Sequence, residues 1–226
     1  MKPIVYSMGV FLALAIAPAL AAQSQEEIAE RLEQSGHVID ELMNAPDSEI
    51  PNGLIDDAKC VGVVPSLKKA AFGFGGEYGR GAVSCRSDSG DWGAPSMVAL
   101  FGGSFGFQIG GTTTDVVMLF MTEDGINYLV RDEFTLGGDA SVAAGPKGRA
   151  VEAETDVAFQ AEILSYSRSQ GIFAGISLEG TSFQQDHDAN AVLYGRSVAP
   201  SEILSGNIVA PPPSADPMVE ALETGD

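Results

Sequence analysis

From Lys59 onward the apolar residues arrive in short runs interrupted by glycine, and this pattern constrains the fold more than any other feature. The chain carries 27 glycines in 226 residues, well above the average share of about 7%. They sit inside apolar stretches, so they mark turns and closely packed strands, not a flexible linker. Residues 60–64 read as a strand stopped by Pro65. Residues 71–75 and 81–85 flank a glycine-containing turn and read as a hairpin. Residues 97–101, 104–109 and 116–121 are three further strands. In the middle one Phe105, Phe107 and Ile109 face one way and Ser104, Gly106 and Gln108 the other. Residues 141–144 are small and strand-like. Residues 157–167 alternate and pair with 172–178 across Ser169-Gln170-Gly171. Strands in runs, with helices at the start and in a few insertions, argue for an α+β fold. Its core is a mainly antiparallel sheet, barrel- or sandwich-like.

Residues 24–43 read as a helix. Ile28, Leu32, Ser35, Ile39 and Leu42 recur at spacings of four and three and form one largely apolar stripe. Ser24 is its N-cap, with Glu27 three residues later. The other face carries Glu26, Glu27, Glu30, Glu33, Asp40 and Glu41. A membrane-surface helix carries Lys and Arg there, so this helix is expected to dock on its own domain and to end at Pro46. Short helical turns are expected at 52–58, 123–131, 188–194 and 200–204. The stretch 207–226 holds Pro211-Pro212-Pro213, Pro217, acids and no sustained period. It reads as an extended, disordered tail. The expected division is a helix over 22–49, a body over 50–206 and the tail.

Residues 1–21 have the anatomy of an export signal: Lys2, an apolar run over 8–17, and small Ala19 and Ala21 before the cut. The run falls short of the roughly 20 apolar residues that span a bilayer. The chain is therefore expected to be exported, periplasmic or extracellular, and soluble or peripherally attached to a membrane. Export gives meaning to Cys60 and Cys85. They read as one disulfide, worth about 3–3.5 kcal/mol on the chain-entropy view; two buried thiols is the other reading. The formal charge of −19 repels nucleic acid, so no nucleic-acid partner is expected.

Seven runs carry a resemblance to a known family. They are Ala58–Pro65 (AKCVGVVP), Gly75–Gly81 (GGEYGRG), Gly102–Gly110 (GGSFGFQIG), Thr114–Val117 (TDVV), Gly138–Arg149 (GDASVAAGPKGR), Ala161–Arg168 (AEILSYSR) and Gly171–Gly180 (GIFAGISLEG). In this order, over roughly 50–196, they resemble the SYLF family, also known as the actin-binding domain of yeast cortical actin-patch proteins. The resemblance implies a non-enzymatic module that binds phospholipids, with actin filaments as a further partner in fungi. Actin binding is not expected of an exported chain.

Charge offers one lead of its own. Lys59, Lys68, Lys69, Arg80 and Arg86 stand against Glu77 alone between residues 59 and 86. A local basic patch can hold an anionic head group within an acidic chain, because charges beyond about 8–10 Å are screened. The other reading is a basic face pairing with the acidic helix. Lys147 and Arg149, in Gly145-Pro146-Lys147-Gly148-Arg149, are a second anion candidate or an ordinary turn. Asp186-His187-Asp188 reads better as helix capping than as a metal site, and no metal or cofactor is expected. Asp115 and Glu162 read as polar support of the core, not as an acid–base pair. Ser104 formally matches Gly-x-Ser-x-Gly but lacks the strand-to-helix elbow. The functional expectation is a non-enzymatic envelope protein on anionic phospholipid. A structural or protein-interaction module of the envelope is the alternative, and a serine hydrolase the third reading.

Overall fold

The computed structural model describes residues 23–45, 52–87, 89–146, 161–205 and 210–224; at 52, 71–74 and 104–109 it describes the backbone alone. The glycine-broken runs resolve into two very long strands, β1 (Cys60–Cys85) and β2 (Ser96–Phe120). They pair antiparallel from Cys60 opposite Phe120 to Val83 opposite Ser96. The hairpin expected between 71–75 and 81–85 does not form: both segments belong to β1 and pair with β2. The three strands expected over 97–121 are likewise one. Glycine and proline punctuate a strand at a bulge as readily as at a turn, and here Pro65 and Gly73 lie at bulges. Pro65 does not stop β1, because its missing N–H falls in an irregularity between Val64 and Leu67. Ser66 there adopts φ 60°, and its N–H donates to Asp115 Oδ1 at 2.9 Å. A second irregularity sets residues 106–108 of β2 across from Gly73 alone.

A straight strand of this length would span about 85 Å. Instead Cys60 and Cys85, the two ends of β1, have Cα atoms 3.9 Å apart and form the expected disulfide. The ribbon therefore curls until β1 crosses itself. Glycine makes the crossing possible. A Cβ on Gly81 would lie 1.9 Å from the Val63 carbonyl oxygen, and one on Gly79 would lie 2.6 Å from Val64 Cγ1. The Arg86 N–H donates to the Lys59 carbonyl at 2.8 Å just beyond the junction.

Further strands join the two ends of β2. Strand β5 (Ile163–Ser169) pairs along 115–120, and β7 (Ser182–Gln185) along 98–101. Strand β3 (Glu133–Thr135) lies beyond β7. Strand β4 (Val142–Ala144) runs parallel to β5. Strand β6 (Ile172–Gly175) returns from β5 as the expected hairpin, with Gln170 and Gly171 both at positive φ. The result is the expected α+β fold around a curled, mostly antiparallel sheet. Strands β3 and β7 were not legible, being three and four residues long. The middle of the ribbon, 66–77 against 102–114, has no third strand beside it among the described residues.

Where the ends of β1 and β2 lie beside β5, both faces of the sheet are covered. Val61, Val63, Val117, Leu119, Leu164 and Tyr166 pack in one core with helix α1 (Gln25–Met43). Cys60, Val64, Val116, Met118 and Phe120 pack in another, with Leu129 of α3 (Glu123–Leu129) and Phe134 of β3. Burial on both sides explains why 60–64 and 116–120 read as unbroken apolar runs. Helix α1 docks as expected, burying Ile28, Leu32, Ser35, Ile39 and Leu42, with a complete Ser24–Glu27 capping box. Helices α2 (Asn52–Asp57), α4 (His187–Tyr194) and α5 (Pro200–Leu204) also match the expected turns.

The disordered tail is a correction. Residues Pro213–Ala215 form a 3₁₀ turn that leads into α6 (Asp216–Glu223). Ala215, Met218, Val219, Ala221 and Leu222 are buried with α1 in one core. Two turns of helix are too short to show a period against a proline-rich background, and Pro217 is tolerated in the first turn. The close approach needs Gly36 of α1, where a Cβ would lie 2.4 Å from the Pro217 carbonyl oxygen. Among the described residues no helix is long and apolar enough to cross a membrane. The expected export signal lies outside the described residues.

Candidate functional site

The five basic residues between 59 and 86 are distributed along a curled strand and the residues that flank it. Lys68 and Lys69 sit on the two-stranded part of the ribbon, opposite Thr113 and Thr112. Lys68 is exposed. Lys69 pairs with Glu77 at 2.7 Å, and Glu77 also accepts from the Thr181 hydroxyl at 2.5 Å. Just beyond, Tyr78 faces Phe101 across the ladder with ring centroids 5.0 Å apart. These two rings are 38% and 40% exposed, a solvent-facing aromatic pair at the root of the ribbon.

Arg80 turns towards α1. Its guanidinium lies 5.8 Å from the Tyr78 ring centroid and 3.5 Å from Asp186. Asp186 caps α4 by accepting from the Ala189 N–H at 3.0 Å, and it accepts from Gln23 Nε2 at 2.8 Å. Arg31 of α1 faces the same place. Arg80, Arg31, Gln23, Glu27, Glu30 and Gln34 line a cleft of about 220 Å³. Burial, and secondly the charge of Arg80, lower the pKa of Arg31. Sequence reasoning missed Arg31. The available signal was its place three residues after Ile28 and four before Ser35, on the border of the apolar stripe.

Lys59 and Arg86 lie together at the disulfide end, joined by their backbones. The Arg86 guanidinium lies 4.3 Å from the Trp92 ring centroid and donates to the Gly90 carbonyl at 3.1 Å. Lys147 and Arg149 lie outside the described residues. Gly145 and Pro146, which precede them, pack on Tyr166: its hydroxyl donates to the Pro146 carbonyl at 3.1 Å, and burial raises its pKa.

The remaining candidates separate. Asp115 holds the Ser66 bulge and pairs with Arg168 at 2.6 Å. Glu162 accepts from the Ser141 N–H and hydroxyl at 2.5 and 2.9 Å. These carboxylates support the backbone at different places. Arg168 also bonds Glu41 of α1. Burial opposes its charge, but the hydrogen bonds it donates to Glu41 and Asp115 prevail and its pKa is raised. His187 lies 3.0 Å from Asp132. Among the described residues no group of three His, Cys, Asp or Glu is placed to hold a metal. Ser104 lies inside β2 opposite Gly75, with strand on both sides, so the elbow that a nucleophilic serine needs is missing.

A self-crossing ribbon, helices packed against its sheet, and exposed cationic and aromatic groups at its root are features suited to an interaction module. Known sequences narrow the class. The Ysc84 family, described as "Las17-binding protein actin regulator", matches residues 101–225. LAS seventeen-binding protein 3 of Saccharomyces cerevisiae is 38% identical over 79% of this chain and 39% of its own length. SH3 domain-containing protein PJ696.02 of Schizosaccharomyces pombe is 39% identical over 77% and 41%. SH3 domain-containing YSC84-like protein 1 of Bos taurus is 33% identical over 80% and 53%. The chain belongs to the Ysc84, or SYLF, family, and it spans about half or less of these relatives.

Proposed function

We propose that this protein is a non-enzymatic membrane-surface module of the cell envelope that binds anionic phospholipid head groups. The observation that carries the reading is the root of the ribbon. Exposed Lys68, half-buried Lys69 and the exposed Tyr78–Phe101 pair occur along the same two strands. Cationic side chains beside amphipathic aromatics suit a bilayer interface. The export signal expected of residues 1–21 supports a site of action outside the cytoplasm, and on that reading actin is not the partner. The test is co-sedimentation with vesicles of rising anionic content at several salt concentrations. Binding is expected to rise with anionic lipid and fall with salt. Lys68→Glu with Lys69→Glu is expected to weaken it; unchanged binding by that double variant rejects the assignment.

A protein partner is the second reading, favoured by relatives whose names declare Las17 binding and SH3 domains. Cross-linking to an envelope protein, with no vesicle binding, selects it.

A further inference from the structure

The cleft between α1 and β1 joins groups that packing alone does not require. Arg31 and Arg80 come from different elements and line the same cleft; burial, and then the charge of Arg80, lower the pKa of Arg31. Three buried polar atoms here, Gln23 Oε1, Arg31 Nη1 and Arg80 Nε, have no hydrogen-bond partner among the described residues. Native proteins leave few such atoms. Asp186 answers Arg80 only at 3.5 Å, beyond a good hydrogen bond, because its carboxylate is committed to Ala189 and Gln23.

The same cleft has an anionic side. Glu27 is held by the Ser24 cap. Glu30 is exposed and accepts from the Gln34 amide at 3.1 Å. A bare phosphate would gain from the two guanidinium groups and be opposed by the two carboxylates. A ligand carrying phosphate and ammonium a few bonds apart satisfies both sides. The volume of about 220 Å³ admits such a small group. Next to Arg80, the exposed Tyr78–Phe101 pair offers an apolar platform of the kind found where a head group meets its acyl chains.

We infer that this cleft binds an aminoalkyl phosphate, with the phosphate on Arg31 and Arg80 and the ammonium on Glu30. The source is either a zwitterionic phospholipid head group or the free phosphoester. The site does not depend on Lys68 or Lys69, so it stands or falls separately from the anionic-surface reading.

Titration calorimetry of the mature protein with phosphoethanolamine, ethanolamine and inorganic phosphate tests the assignment. Phosphoethanolamine is expected to bind at least about tenfold more tightly than either fragment. Arg31→Gln and Arg80→Gln are each expected to weaken it by about tenfold or more. Glu30→Gln is expected to weaken phosphoethanolamine and leave phosphate unchanged or tighter. Lys68→Glu with Lys69→Glu is expected to leave all three alone. Sedimentation with phosphatidylethanolamine vesicles identifies the source: pelleting sensitive to Arg80→Gln assigns the lipid, and binding of the free phosphoester without pelleting assigns the soluble ligand. If Arg80→Gln disturbs folding by circular dichroism, the exposed Glu30→Gln variant carries the test. No binding of phosphoethanolamine by the folded wild type overturns the inference. So does equal affinity for phosphate and phosphoethanolamine with no effect of Glu30→Gln.

Discussion

Gly81→Ala probes the feature on which the whole architecture depends, the self-crossing of β1. The added methyl would lie 1.9 Å from the Val63 carbonyl oxygen and 2.8 Å from both the Val63 carbonyl carbon and the Val64 Cα. Relief requires the two passes of β1 to separate by more than about 1 Å, since carbon and oxygen come no closer than ordinary van der Waals contact. All three obstacles are backbone atoms, so no side chain can swing away. The passes are also pinned together by the Cys60–Cys85 disulfide and by the Arg86 N–H to Lys59 bond. In an unstrained strand Ala would be favoured over Gly by about 0.5–1 kcal/mol. Overpacking a tight site costs roughly 1–3 kcal/mol and sometimes more. With the backbone as obstacle the net loss should reach the upper end, about 3 kcal/mol, or about 6–12 °C in Tm for a domain of this size. Urea unfolding monitored by Trp92 fluorescence and circular dichroism measures it, with Gly76→Ala as control, since a Cβ there meets only the Gly102 carbonyl oxygen at 3.8 Å. The disulfide supplies a second check. In a Cys60→Ser, Cys85→Ser background the crossing can relax, so the Gly81→Ala cost should shrink and the double-mutant cycle should show coupling. A Gly81→Ala cost within 0.5 kcal/mol of zero, on the order of an ordinary surface change, would refute the self-crossing reading.

Replacing both cysteines with serine should lower stability by about 3.5 kcal/mol, the chain-entropy value for a loop of this length, and a reductant should produce the same shift in the wild type. Gly36→Ala should undock α6: the gain in helix propensity of about 1 kcal/mol is outweighed by the clash with the Pro217 carbonyl, and hydrogen exchange over 216–223 should accelerate. Ser24→Ala should cost about 1 kcal/mol through the lost cap. The Ser24 backbone N–H, and then its hydroxyl, lower the Glu27 pKa. That contribution is present above the ordinary Glu value of 4.5 and is lost as pH falls through the lowered one. Glu27→Gln should therefore be destabilising at neutral pH and converge with the wild type in acid, as thermal melts across pH would show.

The parts legible in the sequence share a period or a local rule. The α1 stripe and capping box, the β5–β6 turn and the short helices over 52–57, 187–194 and 200–204 each rest on spacings within one element. What was hidden rests on contacts between distant residues. Gly79 and Gly81 look like turn glycines until Val63 and Val64 are seen behind them. Pro65 looks like a stop until Asp115 is seen to hold the bulge beside it. The tail looked disordered because the face that receives it, around Gly36, lies on a helix some 180 residues earlier in the chain, read on its own terms. The basic residues were counted as one patch because they are close in sequence. A curled strand instead gives Lys69 to Glu77, Arg80 to Asp186 and Arg86 to Trp92. The one cation added to the site, Arg31, came from the helix classed as acidic.

That redistribution bears on how salt acts on this protein. Lys69, Arg80, Arg168 and Arg196 each pair with a carboxylate, which suggests that salt should weaken the fold. The chain, however, carries 31 acids against 12 lysines and arginines and a formal charge of −19. Exposed pairs contribute only about 0–1 kcal/mol each, whereas a large like-charge field opposes the compact state as a whole. The screening length falls from about 30 Å at 0.01 M to about 8 Å at 0.15 M. That is long enough at low salt for repulsion to act across the molecule and short enough at high salt to confine it to neighbours. Adding sodium chloride over this range should therefore raise Tm, even as vesicle binding weakens. A Tm that falls with salt would mean that the paired cations outweigh the acidic surplus, and Arg168→Gln, which cuts the tie between α1 and the β2–β5 edge, should then remove most of the salt dependence.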